Sequence, residues 1–153
     1  MSESHFECIL WDFGGVFTGS PFYSIDIYSA HLGVKSQELI ELVLGYGLDD
    51  GDHHWHRLER GEITMLEALE EIEVLTSTRG IEGFEIRDFF KSMGGKSDTT
   101  EEMFDAVRRY KDLGINQFIL SNNILEFSSS WKSMLPENIL DGINESSEVG
   151  IRK

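Results

Sequence analysis

The sequence predicts an α/β protein, a Rossmann-like parallel sheet with an inserted helical block, and three observations lead there. An apolar run of β-formers, Phe6 to Trp11, lies near the amino terminus, and a second, Phe118-Ile119-Leu120, lies far downstream. A segment of helical periodicity delivers the chain into that second run, the βαβ signature. Between the two strands, residues 20–95 show helical spacing and no convincing strand.

Taken in order, Phe6 to Trp11 has no period-2 alternation, which reads as a strand buried on both faces. Cys8, the one cysteine, then packs inside it as a small hydrophobe and can form no internal disulfide. Gly14 and Gly15 follow and let the backbone turn sharply. Asp12 stands at the carboxyl end of this strand. In open α/β sheets ligands bind outside that edge, so the acid is placed for chemistry rather than packing.

The helical block opens with a helix over Tyr23 to Leu32, ended by Gly33. Ser36 to Leu44 carries Leu39, Ile40, Val43 and Leu44 at helical spacing before Gly45 and Gly47 stop it. The cluster His53-His54-Trp55-His56 invites a metal reading. Contiguous histidines cannot all face one ion from a helix, however, and no cysteine lies nearby. Trp55 and Leu58 are expected to face inward, while the histidines, Arg57, Glu59 and Arg60 stay in water. Thr64 with Glu67 makes a capping box for a helix carrying Leu66, Leu69, Ile72, Val74 and Leu75, mostly along one stripe. Ile86, Phe89, Phe90 and Met93 predict a further short helix, ended by Gly94 and Gly95.

Thr99 with Glu102 makes a second capping box, followed by Met103, Phe104, Val107 and Tyr110 and a stop at Gly114. That helix feeds the strand Phe118–Leu120. Ser121, Asn122 and Asn123 then occupy the same sheet edge as Asp12. The run Ser128-Ser129-Ser130 is a helix start or a loop, with Trp131 covering core. A third strand is expected at Leu140 to Ile143, and the chain closes on Lys153.

Composition narrows the function classes. A chain of 153 residues with 40% hydrophobic content suffices for one ordinary domain. Lys plus Arg total 13 against 28 for Asp plus Glu, a formal charge of -15 that would repel a phosphate backbone, so no nucleic-acid partner is expected. No window approaches a membrane-spanning length, and the amino terminus MSESHFE is not basic followed by apolar. The expectation is a cytoplasmic chain with no membrane partner.

Three stretches, WDFGGVFT, FILSNN and ESSEVGIRK, occur in this order with the helical block between the first two. On them the chain resembles the haloacid dehalogenase-like hydrolase superfamily, in its capped subgroup, and the amino-terminal phosphatase domains of epoxide hydrolases. The resemblance implies a core formed by 1–19 and 96–153 and a helical cap, 20–95, over the pocket. It further implies Asp12 as nucleophile, Ser121 as the second-motif hydroxyl and Lys153 as the third-motif cation. Gly15, Asn122 and Asn123 would contact a small phosphorylated metabolite, and Asp12 with the Gly14 carbonyl would ligate Mg²⁺.

The residue types suit that chemistry. A carboxylate can attack phosphorus and divide hydrolysis into two easier steps through an acyl phosphate. A hydroxyl and a cation stabilise charge on the oxygens of the phosphoryl group in transit. Two departures stand out. Gly14 replaces the usual second aspartate, and it cannot transfer a proton, a service commonly worth ~10²–10⁴ in rate. The acidic pair of the family's fourth motif has no counterpart, so the reading is of a chain truncated after the third motif with an incomplete, weak Mg²⁺ site. The first strand, central in the family's sheet, would then be an exposed edge open to self-association. Two other classes stay open: a metal-independent dehalogenase using the same aspartate, and an inactive remnant serving as a binding or regulatory module.

Overall fold

The computed structural model describes residues 7–20, 22, 24–93 and 100–153. Three strands, β1 (Cys8–Trp11), β2 (Asn116–Ser121) and β3 (Gly142–Glu145), pair in parallel in the order β1-β2-β3. Among the described residues there are eight α-helices, so the chain is mixed α/β as expected. Five of them, α1 (Ile25–His31), α2 (Ser36–Leu44), α3 (His54–Glu59), α4 (Met65–Thr78) and α5 (Ile86–Met93), form the helical block that follows β1. The other three are α6 (Thr100–Asp112), α7 (Ser128–Lys132) and α8 (Ser146–Val149).

The central strand carries its own signature. Gln117, Ile119 and Ser121 alternate with Phe118 and Leu120, and the first set is buried on the face covered by α6, whose Phe104 and Val107 pack there. Gln117 is wholly buried yet satisfied, because its amide donates to the Val107 carbonyl at 2.8 Å and its oxygen accepts from Trp11 Nε1 at 3.0 Å.

The first strand departs from expectation. Among the described residues it is paired on one side only, and it alternates: Ile9 and Trp11 are half-buried, with Trp11 against Phe17 and Tyr110, while Cys8 is exposed and Leu10 is 62% exposed. Burial on both faces, and a packed Cys8, would require a cover on the second face that the described residues do not supply. The third strand sits two residues later than expected, at Gly142–Glu145.

The helical block has its own core, built from Ile25, Leu39, Val43, Leu58, Ile72 and Phe89, and Ile124 enters it from the loop after β2. The bounds Ser36–Leu44 agree with the spacing, and Gly45 ends α2 in the left-handed conformation, φ 61°. The Thr64–Glu67 capping box is present in both directions. On α4 the buried stripe is Ala68, Ile72 and Thr76, with Leu66 and Val74 in solvent, because the neighbouring helices meet a narrower face than the apolar residues span. The expected strand start at Phe6, helix start at Tyr23, stop at Gly94 and Gly95 and cap at Thr99 lie outside the described residues.

The histidine expectation is overturned. His54 and His56 are buried and His53 is half-buried. Their Nε2 atoms meet the carbonyls of Val43 at 2.9 Å, Gly45 at 3.0 Å and Leu42 at 3.3 Å. These carbonyls lie at the end of α2, where backbone acceptors lack helical partners. A carbonyl only accepts, so each ring holds a proton on Nε2. His53 Nδ1 in turn accepts from Trp55 N at 3.2 Å and caps α3. Arg57, Glu59 and Arg60 are half-buried rather than fully wet.

Candidate active site

Asp12 follows directly on the end of β1, and one helical turn follows it, with Val16 N and Phe17 N both donating to the Phe13 carbonyl. Gly15 takes φ 76°, a left-handed conformation that favours glycine, and its N–H donates to Thr18 Oγ1 at 3.0 Å. The Asp12 carboxylate accepts from Phe13 N at 2.7 Å and forms an ion pair with Lys153 Nζ. That ammonium also donates to the Leu120 carbonyl at 3.0 Å, and Lys153 N donates to Asn122 Oδ1 at 3.0 Å. The first motif, the second-motif loop and the last residue therefore meet at one sheet edge.

Ser121 is buried at the end of β2, and its hydroxyl donates to the Asn122 carbonyl at 3.3 Å. Asn123 is held twice, by Ser146 through its backbone and by Glu145 through its side-chain amide. Around these residues opens a cleft of about 680 Å³. Its floor is Asp12, Gly14, Ser121, Asn122, Asn123 and Lys153, and its opposite wall comes from the helical block through Leu44, Tyr46, Trp55, Glu59 and Met93. Phe13, Phe22, Phe127 and Trp131 add aromatic surface. Each expected site residue except Gly15 lines this cleft.

Sequence reading missed Glu59 and Arg152, which also line it. Arg152 Nε donates to Glu59 Oε2 at 2.6 Å and Nη1 to Asp50 Oδ1 at 3.0 Å, tying the chain's last residues to the helical block. Burial raises the Glu59 carboxyl above its usual range against the opposing pull of Arg152. The hydrogen bond from Arg152, joined by the charge of Arg60, holds Asp50 below the usual range. A half-buried acid paired with a distant arginine leaves no local pattern, so spacing could not reveal either residue.

Mg²⁺ prefers six oxygens in near-octahedral array. The expected donors are one carboxylate, already engaged by Lys153 and Phe13 N, and one glycine carbonyl. Among the described residues no group of three or more His, Cys, Asp or Glu side chains could hold a metal ion. One carboxylate and one carbonyl would supply two of the six oxygens, leaving the rest to water and substrate. No helix among the described residues is long and apolar enough to cross a membrane. No protein-family model matches the chain, and no curated protein matches it.

Proposed function

We propose that the chain is a haloacid dehalogenase-like hydrolase that cleaves phosphate monoesters of small metabolites through Asp12. The observation that carries this reading is the meeting of Asp12, Ser121 and Lys153, from three distant stretches, in one cleft. The Asp12 carboxylate attacks phosphorus, an O–P bond forms, the ester O–P bond breaks, and the alcohol departs with a proton from solvent. Water then attacks the aspartyl phosphate, releasing inorganic phosphate and restoring the carboxylate. Lys153 and the Ser121 hydroxyl face the charge that accumulates on the phosphoryl oxygens. Residues 20–95 act as the cap that sets which alcohol enters, with Asn122, Asn123 and the Gly15 turn at the anionic end.

The test is a panel of phosphate monoesters assayed with and without added Mg²⁺, comparing wild type with Asp12→Asn. Turnover should fall by at least ~10³ in the variant, since Asn cannot form the covalent intermediate. Near-wild-type turnover, with deamidation excluded by mass spectrometry, would remove Asp12 from the chemistry.

The pairing of the Asp12 carboxylate with a lysine favours a second reading, in which Asp12 displaces halide from the carbon of a 2-haloacid to form an ester that water hydrolyses. Halide release in the presence of a chelator, with no phosphate release, would select it.

A further inference from the structure

Glu145 ends β3 in register with Ser121, and its side chain is wholly buried. It accepts from four donors. Oε1 takes Asn123 Nδ2 at 2.5 Å and Trp131 Nε1 at 2.5 Å, while Oε2 takes Ser128 Oγ and Lys132 Nζ. One oxygen thus serves two residues that line the cleft, and the other serves the helix α7 behind them. A buried carboxylate is costly unless paired and hydrogen-bonded, and here one donor comes from the loop after β2 and three from α7.

We propose that Glu145 is the positioning residue of the site, a buried acceptor that locks Asn123, and through it the Ser121–Asn123 loop, in the orientation that faces Asp12. The functional half of this rests on the phosphohydrolase reading above. Only an acceptor can take the Asn123 amide here, so Glu145 decides which end of that side chain is turned inward. The amide oxygen of Asn123 is left for other partners. Ser146, the next residue, clamps the Asn123 backbone in both directions, with Asn123 N donating to Ser146 Oγ at 3.0 Å and Ser146 Oγ lying 3.1 Å from the Asn123 carbonyl. Adjacent residues therefore hold the side chain and the main chain of one loop residue. Burial works to raise the Glu145 carboxyl, and the hydrogen bonds from Lys132, Ser128, Asn123 and Trp131 overcome it and hold it at about 2, so the acceptor stays charged through the neutral range.

The test compares wild type, Glu145→Gln, Asn123→Ala and the double variant. Amide hydrogen exchange is followed residue by residue, and p-nitrophenyl phosphate is the activity probe. Glu145→Gln should speed exchange at residues 122–124 by at least ~10-fold relative to the middle of β2. It should lower kcat more than it raises KM. In the Asn123→Ala background the same change should alter kcat less than ~2-fold, because both substitutions act through one contact. Unchanged exchange at 122–124, or an equal loss of kcat in both backgrounds, would overturn the proposal. Faster exchange with no turnover by wild type would uphold the positioning role and sink the phosphohydrolase reading instead. Should Glu145→Gln not melt cooperatively, Asn123→Asp leaves Glu145 its other three donors and sets two carboxylates face to face. Exchange at 122–124 must rise there, and exchange at the wild-type rate would refute the role.

Discussion

Lowering the pH from about 7 to about 5 should loosen the helical block through the three histidines at the start of α3 that bond the carbonyls ending α2. Burial, reinforced by the charges of His54 and His56, holds the His53 imidazole down at about 4. Burial likewise depresses His54, and burial followed by the charge of Arg152 depresses His56. The geometry agrees, since neutral His53 uses both nitrogens, donating to Leu42 and accepting from Trp55, and a second proton would remove the latter bond. Each folded-state pKa lies below the unfolded value. The unfolded chain therefore takes up more protons as pH falls, and stability present above about 6.5 is lost between there and about 4 for His53. At pH 5 that single group costs at most about 2 kcal/mol, against a total of ~5–15 kcal/mol for a domain. The formal charge of -15 acts the other way, because approach to the isoelectric point near 4.6 relieves self-repulsion. Urea unfolding of wild type and His53→Gln, across this range at fixed salt, separates the two effects. Glutamine can still donate to Leu42 but does not titrate, so the variant's stability should fall less on acidification. Midpoints that move in parallel from pH 7 to pH 5 would refute the argument.

Below that window Glu145 takes over. Its pKa is held at about 2, so its contribution is intact above the unfolded value of 4.5 and disappears as pH falls toward 2. A second acid transition should appear in wild type and be absent from Glu145→Gln, as monitored by Trp131 fluorescence. Gly45→Ala should cost roughly 3 kcal/mol, read as a lower urea midpoint. A Cβ there would lie 2.5 Å from His56 Nε2 and 2.7 Å from His53 Nδ1, on a residue already at φ 61°. Leu10→Lys, on the exposed edge strand, should leave the melt within ~0.5 kcal/mol and reduce any concentration-dependent association seen by sedimentation. Arg152→Ala should raise KM for a phosphate monoester more than it lowers kcat and raise protease sensitivity of α3, because the cleft loses a cation and Glu59 and Asp50 lose their link to the chain's last residues. Identical kinetics and proteolysis would deny that link a role.

Local spacing wrote much of this fold into the sequence. The apolar rhythm from Leu39 to Leu44 with Gly45 behind it bounded α2, Thr64 and Glu67 announced the start of α4, and Phe118–Leu120 marked the central strand. Asp12 drew notice as an acid at the end of an apolar run, whereas Ser121 and Lys153 were named as site candidates through the resemblance carried by FILSNN and ESSEVGIRK. What only the tertiary structure decided were the pairings across the chain. Whether β1 is covered depends on which strands and helices flank it, and its second face has no cover among the described residues, so Cys8 and Leu10 meet solvent. The histidines read as polar surface, yet three rings fold back to carbonyls at the end of an earlier helix and leave water behind. Arg152 finds Glu59 across 93 positions, and Glu145 collects donors from residues 123 to 132. A polar side chain is buried when the fold brings it a partner, and the partner's position is a property of the folded chain rather than of the residues beside it.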